Sequence, residues 1–332
     1  MIHRTLGCAV VATHVPRCDL NHEQARTSSA RRPPLLSEGA RVALVAPAGP
    51  LRNDGDLARA IDNVRSFGWE PVVGEHALAR EGYFAGPDNQ RATDLNGALR
   101  DDAIDAVWCL RGGYGSMRIL ESIDYAAAAR RPKPVIGYSD ITALHSAFAL
   151  RSGIVTYHGP TARAELSSFS RRSLACALVR GGDSCGDTPD ARVLHGGVAQ
   201  GTLAGGNLAL LSALTGTPFS PRLRDSILVL EDIDEPVYRV DRMMRQLLLA
   251  GLLDGVRGMV FGACTNCPEA ADDGARRLDD VIGEVAAALG IPTIIGAPVG
   301  HIDDQWTLPL GAAASLDADG RTLTVHPTLT IA

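Results

Sequence analysis

Residues 104–118 read IDAVWCLRGGYGSMR: an apolar run, then Arg111, two glycines, Tyr114, a third glycine and Ser116, with helical spacing in SMRILESI (116–123). A strand that passes through a glycine turn into a helix is the building unit of an open α/β sheet. The flanking sequence repeats the unit. GARVALVAPAGP (39–50) holds a short continuous apolar run, Val42 to Val45, broken by a Pro/Gly turn. A helix pattern over 55–67 stops at Gly68, and Glu70 to Val73 follow as a second strand. FAGPDNQRATDLNGALRD (84–101) reads as a loop and a helix with Asp88 as candidate N-cap. PVIGYSD (134–140) is a strand ending in a polar turn, and ITALHSAFAL (141–150) a further helix. Strands and helices alternating at this spacing predict a doubly wound, flavodoxin-like parallel sheet over residues 36–165.

Composition then changes. SSFSRRS (167–173) and GGDSCGDTPD (181–190) mark residues 166–200 as an inter-domain linker. Residues 201–332 hold GTLAGGNLALLSALTGTPF, SILVLED (226–232), VRGMVFGAC (256–264), PTIIGAPVGH (292–301) and RTLTVHP (321–327), which predict a strand-rich, swivelling α/β domain. Between them, DEPVYRVDRMMRQLLLAG is a helix with Asp234 as possible N-cap. Its stripe Val240, Met243, Met244 and Leu247 belongs to a core. The first 35 residues stand apart as a disordered extension. LGCAVVATHV is too short to span a bilayer, and the residues before Cys8 make a poor lipobox. No membrane is expected as a partner, and the default location is the cytoplasm.

The 332 residues are 45% hydrophobic and 21% charged, with a formal net charge of −6, which argues against a nucleic-acid footprint. Aromatics are only 5%, so surfaces that stack bases or sugars are sparse. Seven cysteines are too few, and odd in number, for a disulfide scaffold. Cys264 and Cys267 form a C-x-x-C with no second pair at zinc spacing, so a structural or incidental reading stands ahead of metal or redox chemistry.

Two chemistries compete for the glycine turn. A phosphate loop needs Gly-Lys-Ser/Thr, and a dinucleotide fingerprint needs G-x-G-x-x-G after the first strand. Here there is no lysine, and Arg118 stands at the third glycine's place. No cofactor is therefore expected. A serine nucleophile fits the turn mechanically: it is lifted off the sheet edge while the helix's first N–H groups face the reacting carbon. Ser116 equally suits a helix N-cap. A nucleophile also needs a base and an acid. His301, at the exit of PTIIGAPVGH, and His158, in TYHGP, compete for the base, whereas His145 sits within a helix pattern. Glu231 ends the strand SILVL, ahead of Asp232, Asp234 and Glu235. An acid so anchored can hold an imidazole in one tautomer, or merely satisfy local N–H groups.

Taken together, RGGYGSMRIL, GYSDITALH, HGP, GGNLALLSALTGTP, ILVLEDIDEPVYRVDRMMRQL and GAPVGH followed by LPLG resemble the LD-carboxypeptidase family of serine peptidases over about residues 36–325. The resemblance implies a Ser-Glu-His triad of Ser116, Glu231 and His301, with His158 left a pocket or structural role. It also implies backbone oxyanion donors at Met117 and Gly113, and Asn207 as a substrate contact. Arg111 or Arg118 could meet a substrate carboxylate, and Tyr114 is a further contact candidate. The implied substrate is a murein tetrapeptide cut at its L,D-bond to terminal D-alanine, without a metal, and relatives suggest a homodimer. A related branch hydrolyses microcin C-like aminoacyl nucleotides and wants an aromatic such as Trp306 to stack on the base. A non-catalytic muropeptide binder is the remaining alternative.

Overall fold

The computed structural model describes residues 30–268 and 276–326. Five short apolar segments build the first sheet: β1 (Arg41–Val45), β2 (Glu70–Val73), β3 (Ala106–Cys109), β4 (Val135–Gly137) and β5 (Thr156–His158). They pair in parallel in the order β2-β1-β3-β4-β5, the flavodoxin-like order, so the strand order reverses between β1 and β3. Helices α1 (Asp54–Ser66), α2 (Asp88–Arg100), α3 (Ser116–Ile119), α4 (Tyr125–Arg130) and α5 (Thr142–Arg151) connect them. Because both sheet faces are covered, β3 is buried at every position and its residues divide between two apolar clusters. The cap at α1 is Asn53, whose side chain accepts from Asp56 N–H. Asp88 is not a cap: α2 begins at Asp88 itself with Pro87 in the cap position.

The second half supplies β6 (Gly186–Asp187), β7 (Arg192–His195), β8 (Val198–Asn207), β9 (Ser226–Ile233), β10 (Gly258–Thr265), β11 (Thr293–Ile295), β12 (Leu308–Leu310), β13 (Ala313–Asp317) and β14 (Thr322–Val325). Its helices are α6 (Ser168–Ala175), α7 (Leu208–Leu214), α8 (Val237–Leu249) and α9 (Leu278–Leu289). Eight strands form a mixed sheet, β6-β14-β13-β8-β9-β10-β11-β7, parallel only through β8-β9-β10-β11. The α8 stripe is core, with Val240, Met244 and Leu247 buried. Its cap is Pro236; Asp234 instead takes a left-handed turn, φ 59°, and its N–H bonds Thr265 O.

Several segments depart from expectation. Residues 166–200 do cross between the halves, but as structured chain. Leu174, Ala177 and Leu178 on α6 and the turn after it join the first sheet's core, and β6 and β7 form the two edges of the second sheet. The apolar residues that follow the Ser/Arg-rich stretch are enough to pack it down once a sheet lies beneath. β12 leaves the second half to pair antiparallel with β5 in the first sheet. The expected extension covers residues 1–35, and residues 1–29 lie outside the described residues. Arg31, however, runs beside Ile154, its N–H bonding Gly153 O at 2.8 Å, so the end of that stretch belongs to the fold. No described helix is long and apolar enough to cross a membrane.

Candidate functional site

The turn after β3 lies at the strand-order reversal, beside the loop that follows β1: Gly49 N–H bonds Gly112 O at 2.9 Å. Gly115, not Ser116, occupies the cap position of α3, with φ 136°, a conformation open to glycine at no steric cost. Ser116 is thus the first helical residue, and its Oγ is buried without a hydrogen bond to any described residue. Its N–H donates to Asp140 Oδ2 at 2.7 Å. Burial pushes the Asp140 carboxyl above its ordinary range, against the lowering effect of the Ser116 N–H that it accepts. Arg91, fully buried on α2, braces the turn from behind, donating to Gly115 O at 2.9 Å, to Gly86 O and to Pro47 O.

Glu231 and His301 meet directly. Glu231, wholly buried in β9, holds His301 Nδ1 with Oε2 at 2.9 Å. A carboxylate only accepts, so Nδ1 carries the hydrogen and Nε2 is left as the basic nitrogen. The turn before the histidine brings them close: Gly300 has φ 119°, and a methyl there would lie 3.0 Å from Glu231 Cβ. Thr265 Oγ1 donates to His301 O at 3.0 Å, fixing the same turn to β10. The link to Ser116 runs through residues 138–140. Tyr138 lays its ring 4.8 Å from the His301 ring, while Asp140, two residues on, holds Ser116. Burial, and next the Glu231 charge, raises the Tyr138 phenol.

The remaining candidates divide. Met117 is half-buried on the first sheet's core, and Gly113 is exposed with φ 97°. Arg111 is half-buried and donates to Pro50 O at 2.6 Å; burial, then the charges of Arg163 and Arg52, lowers its pKa. Arg118 is paired with Asp88 at 2.8 Å. Asn207 spends its side chain on structure, capping α7 through Leu210 N–H and donating to Asp232 Oδ1. Trp306 is 1% exposed in the second sheet's core and presents no open face. Tyr114 is exposed. His158 and His145 are buried behind Tyr138, and burial lowers them to about 3 and about 4. Cys264 and Cys267, read above as structural or incidental, are joined in a disulfide with Cα atoms 5.5 Å apart, a pairing the sequence reading did not specify.

Sequence reasoning passed over Tyr138, Asp140 and Arg91. The first two ended a strand as GYSD, a signal of the same kind as the glycine turn. Arg91 gave none, because a buried arginine is recognisable only from the carbonyls around it. Asp232, noted as a looser acid, is a second buried carboxyl that anchors α7 through Ala209 N–H; burial raises it to about 6.

The profile of the LD-carboxypeptidase N-terminal domain matches residues 42–159, and that of the LD-carboxypeptidase C-terminal domain matches residues 200–316. The chain belongs to the LD-carboxypeptidase family, and so to a family of peptidases. A Streptomyces coelicolor relative carrying a provisional carboxypeptidase name is 42% identical over 89% of this chain and 96% of its own. A murein tetrapeptide carboxypeptidase of Pseudomonas aeruginosa is 37% identical over 84% and 94%. The crystal structure of muramoyltetrapeptide carboxypeptidase from Oxalobacter formigenes superposes with TM-score 0.77 at 31% identity, covering 87% of this chain and all of that one. At the level of fold, MccF in complex with glutamyl sulfamoyl guanosine superposes with TM-score 0.82 at 23% identity, covering 89% and 98%.

Proposed function

We propose that this chain is a serine carboxypeptidase that releases the terminal D-alanine from murein tetrapeptides. Ser116 Oγ attacks the carbonyl carbon of the L,D-bond while His301 Nε2 takes its proton. Glu231 holds the imidazole in the required tautomer and stabilises its charged form. The N–H groups of Met117 and Gly113 receive the oxyanion. His301 then protonates the leaving amine of D-alanine, and water, deprotonated by the same imidazole, frees the acyl group from Ser116.

The observation that carries this reading is the short segment 138–140, which grips the serine's backbone at Asp140 and packs a ring on the glutamate-bound histidine at Tyr138. The proposed mechanism requires Ser116 Oγ and His301 Nε2 to come within hydrogen-bond reach in the substrate complex. Arg111, with the charges of Arg52, Arg80 and Arg163 around it, offers the cationic surface that a free terminal carboxylate needs. The aminoacyl-nucleotide reading draws on Trp306 to stack the base, and that ring is buried. The test is a substrate panel read by mass spectrometry. Release of D-alanine from the L,D-tetrapeptide supports the proposal. Turnover of an aminoacyl-sulfamoyl adenosine alone, or binding of the tetrapeptide without release, defeats it.

A further inference from the structure

One covalent bond sits at the junction of the segments that carry Glu231 and His301. Cys264 and Cys267, three residues apart in the chain, are joined where β10 ends. Cys264 pairs in register with Asp232, the residue after Glu231, just past a bulge in the β9–β10 ladder. Thr265, inside the bonded loop, makes two tethers. Its carbonyl accepts Asp234 N–H at 2.8 Å, and its Oγ1 donates to His301 O at 3.0 Å. On the other side of Cys264, Ala263 N–H bonds Val299 O at 2.8 Å, so this strand end grips the turn before His301 as well. Asn266 then turns the chain with φ 53°, a left-handed conformation that asparagine tolerates. A bond closing so short a loop constrains the unfolded chain less than a long one would. Its main effect is local: it fixes where Thr265 stands. Both cysteines are only half-buried, and Asn266 and Pro268 beside Cys267 are exposed, which leaves the bond open to a small thiol.

We propose that Cys264 and Cys267 form a thiol–disulfide exchange site through which a dithiol reductant lowers the activity of the His301 site. The proposal rests on His301 as the base of the mechanism above and adds regulation to it. One thiolate of the reductant attacks a cysteine sulfur; the protein S–S bond breaks, leaving a mixed disulfide and one protein thiolate. The reductant's second thiolate then displaces the remaining cysteine. Two electrons pass to the protein, both cysteines end as thiols after taking up two protons, and the reductant leaves as its own disulfide. Once the loop is open, nothing covalent holds Thr265 in place, and His301 O loses a fixed donor. The imidazole held at Nδ1 by Glu231 is then less well aimed at the serine. Arg111 and the arginines around it lie in the other half of the chain, so substrate binding is spared. The loss therefore falls on kcat and not on KM.

The test compares the full chain oxidised with diamide and reduced with dithiothreitol, each state verified by maleimide labelling and peptide mass at Cys264 and Cys267. Reduction should lower kcat for D-alanine release about three- to tenfold, leave KM within about twofold, and reverse on reoxidation. The double variant Cys264→Ser/Cys267→Ser should run at the reduced rate in both conditions. Oxidised Thr265→Val should also run at the reduced rate, with no further fall on reduction. Backbone hydrogen exchange across residues 299–302 should quicken on reduction while circular dichroism stays that of the folded chain. Equal kcat in the two states, or a fall that adds in full to that of Thr265→Val, overturns the switch and leaves the murein reading standing. So does a pair that diamide leaves unbonded, a double variant that keeps the oxidised rate or still responds to dithiothreitol, or a reduced chain that has unfolded. No D-alanine release in either state defeats the murein reading alone. Hydrogen exchange across 299–302 then decides the switch: quickening on reduction supports it, and no change overturns it.

Discussion

At the scale of single residues, the account turns on one hydrogen bond. Glu231 is buried without exposure and meets His301 Nδ1 at 2.9 Å, so its charge is felt with little screening and it fixes which ring nitrogen stays free. Glu231→Gln keeps the size but can present an N–H to Nδ1, which favours the wrong tautomer. The expected loss in kcat is about a thousand- to ten-thousandfold with KM little changed, as measured by steady-state D-alanine release. A variant within tenfold of the parent would remove Glu231 from the mechanism. These residues were legible because each sits where an apolar strand meets a polar turn: Ser116 after AVWCL, Glu231 after SILVL, His301 after PTIIGAPVG. Asn207 entered through the family resemblance, and Trp306 as an aromatic that could stack on a base. Asn207 caps α7 only three residues on, at Leu210 N–H, and reaches Asp232 farther along the chain, while Trp306 joins a core of distant strands.

At the scale of elements, the turn at Gly300 does for the histidine what the glycine turn does for the serine. Gly300→Ala forces a side chain into a left-handed conformation and against Glu231. It should cost roughly 1–3 kcal/mol in urea denaturation and lower kcat as well. Gly283, inside α9, has nothing within 4 Å of an added methyl, so Gly283→Ala should be neutral or stabilise by up to about 1 kcal/mol. If the two substitutions behaved alike, the turn would not be the constraint argued here. β1 to β4 and helices α1, α2 and α5 were readable from alternation, with β1, β3 and β4 standing out as continuous apolar runs, whereas β5 and α4 were not among the expected elements. α6 and β12 were not: a polar helix that adds only Leu174 to the first sheet's core, and a three-residue strand, carry too little periodicity, and only the neighbouring sheet gives them a place.

At the scale of the whole molecule, the buried histidines set a pH response. His145 and His158 are lowered from 6.5 to about 4 and about 3 by burial. Below about pH 6.5 the unfolded chain takes up protons that the fold refuses. Their stabilisation is therefore complete above that pH and is lost as pH falls toward the folded values. Between pH 7 and 5 each accounts for about 2 kcal/mol. Asp232 acts oppositely: raised from 3.8 to about 6, it favours the fold in acid and loses that contribution as pH rises through 6. Asp140 is shifted in the same direction. The two histidines outweigh Asp232, so the urea midpoint should fall from pH 7 to pH 5, and fall less in His158→Leu. A midpoint that rose on acidification would contradict this balance.

The two sheets matter because the proposed nucleophile comes from one and its partners from the other, with Asn207 N–H bonded to Thr142 Oγ1 across them at 2.9 Å. The most direct measurement is the rate of D-alanine release from an L,D-tetrapeptide by the parent chain and by Ser116→Ala, with folding checked by matching urea midpoints. The account predicts release by the parent and none above background by the variant. A folded Ser116→Ala chain that still releases D-alanine at the parent rate would contradict it.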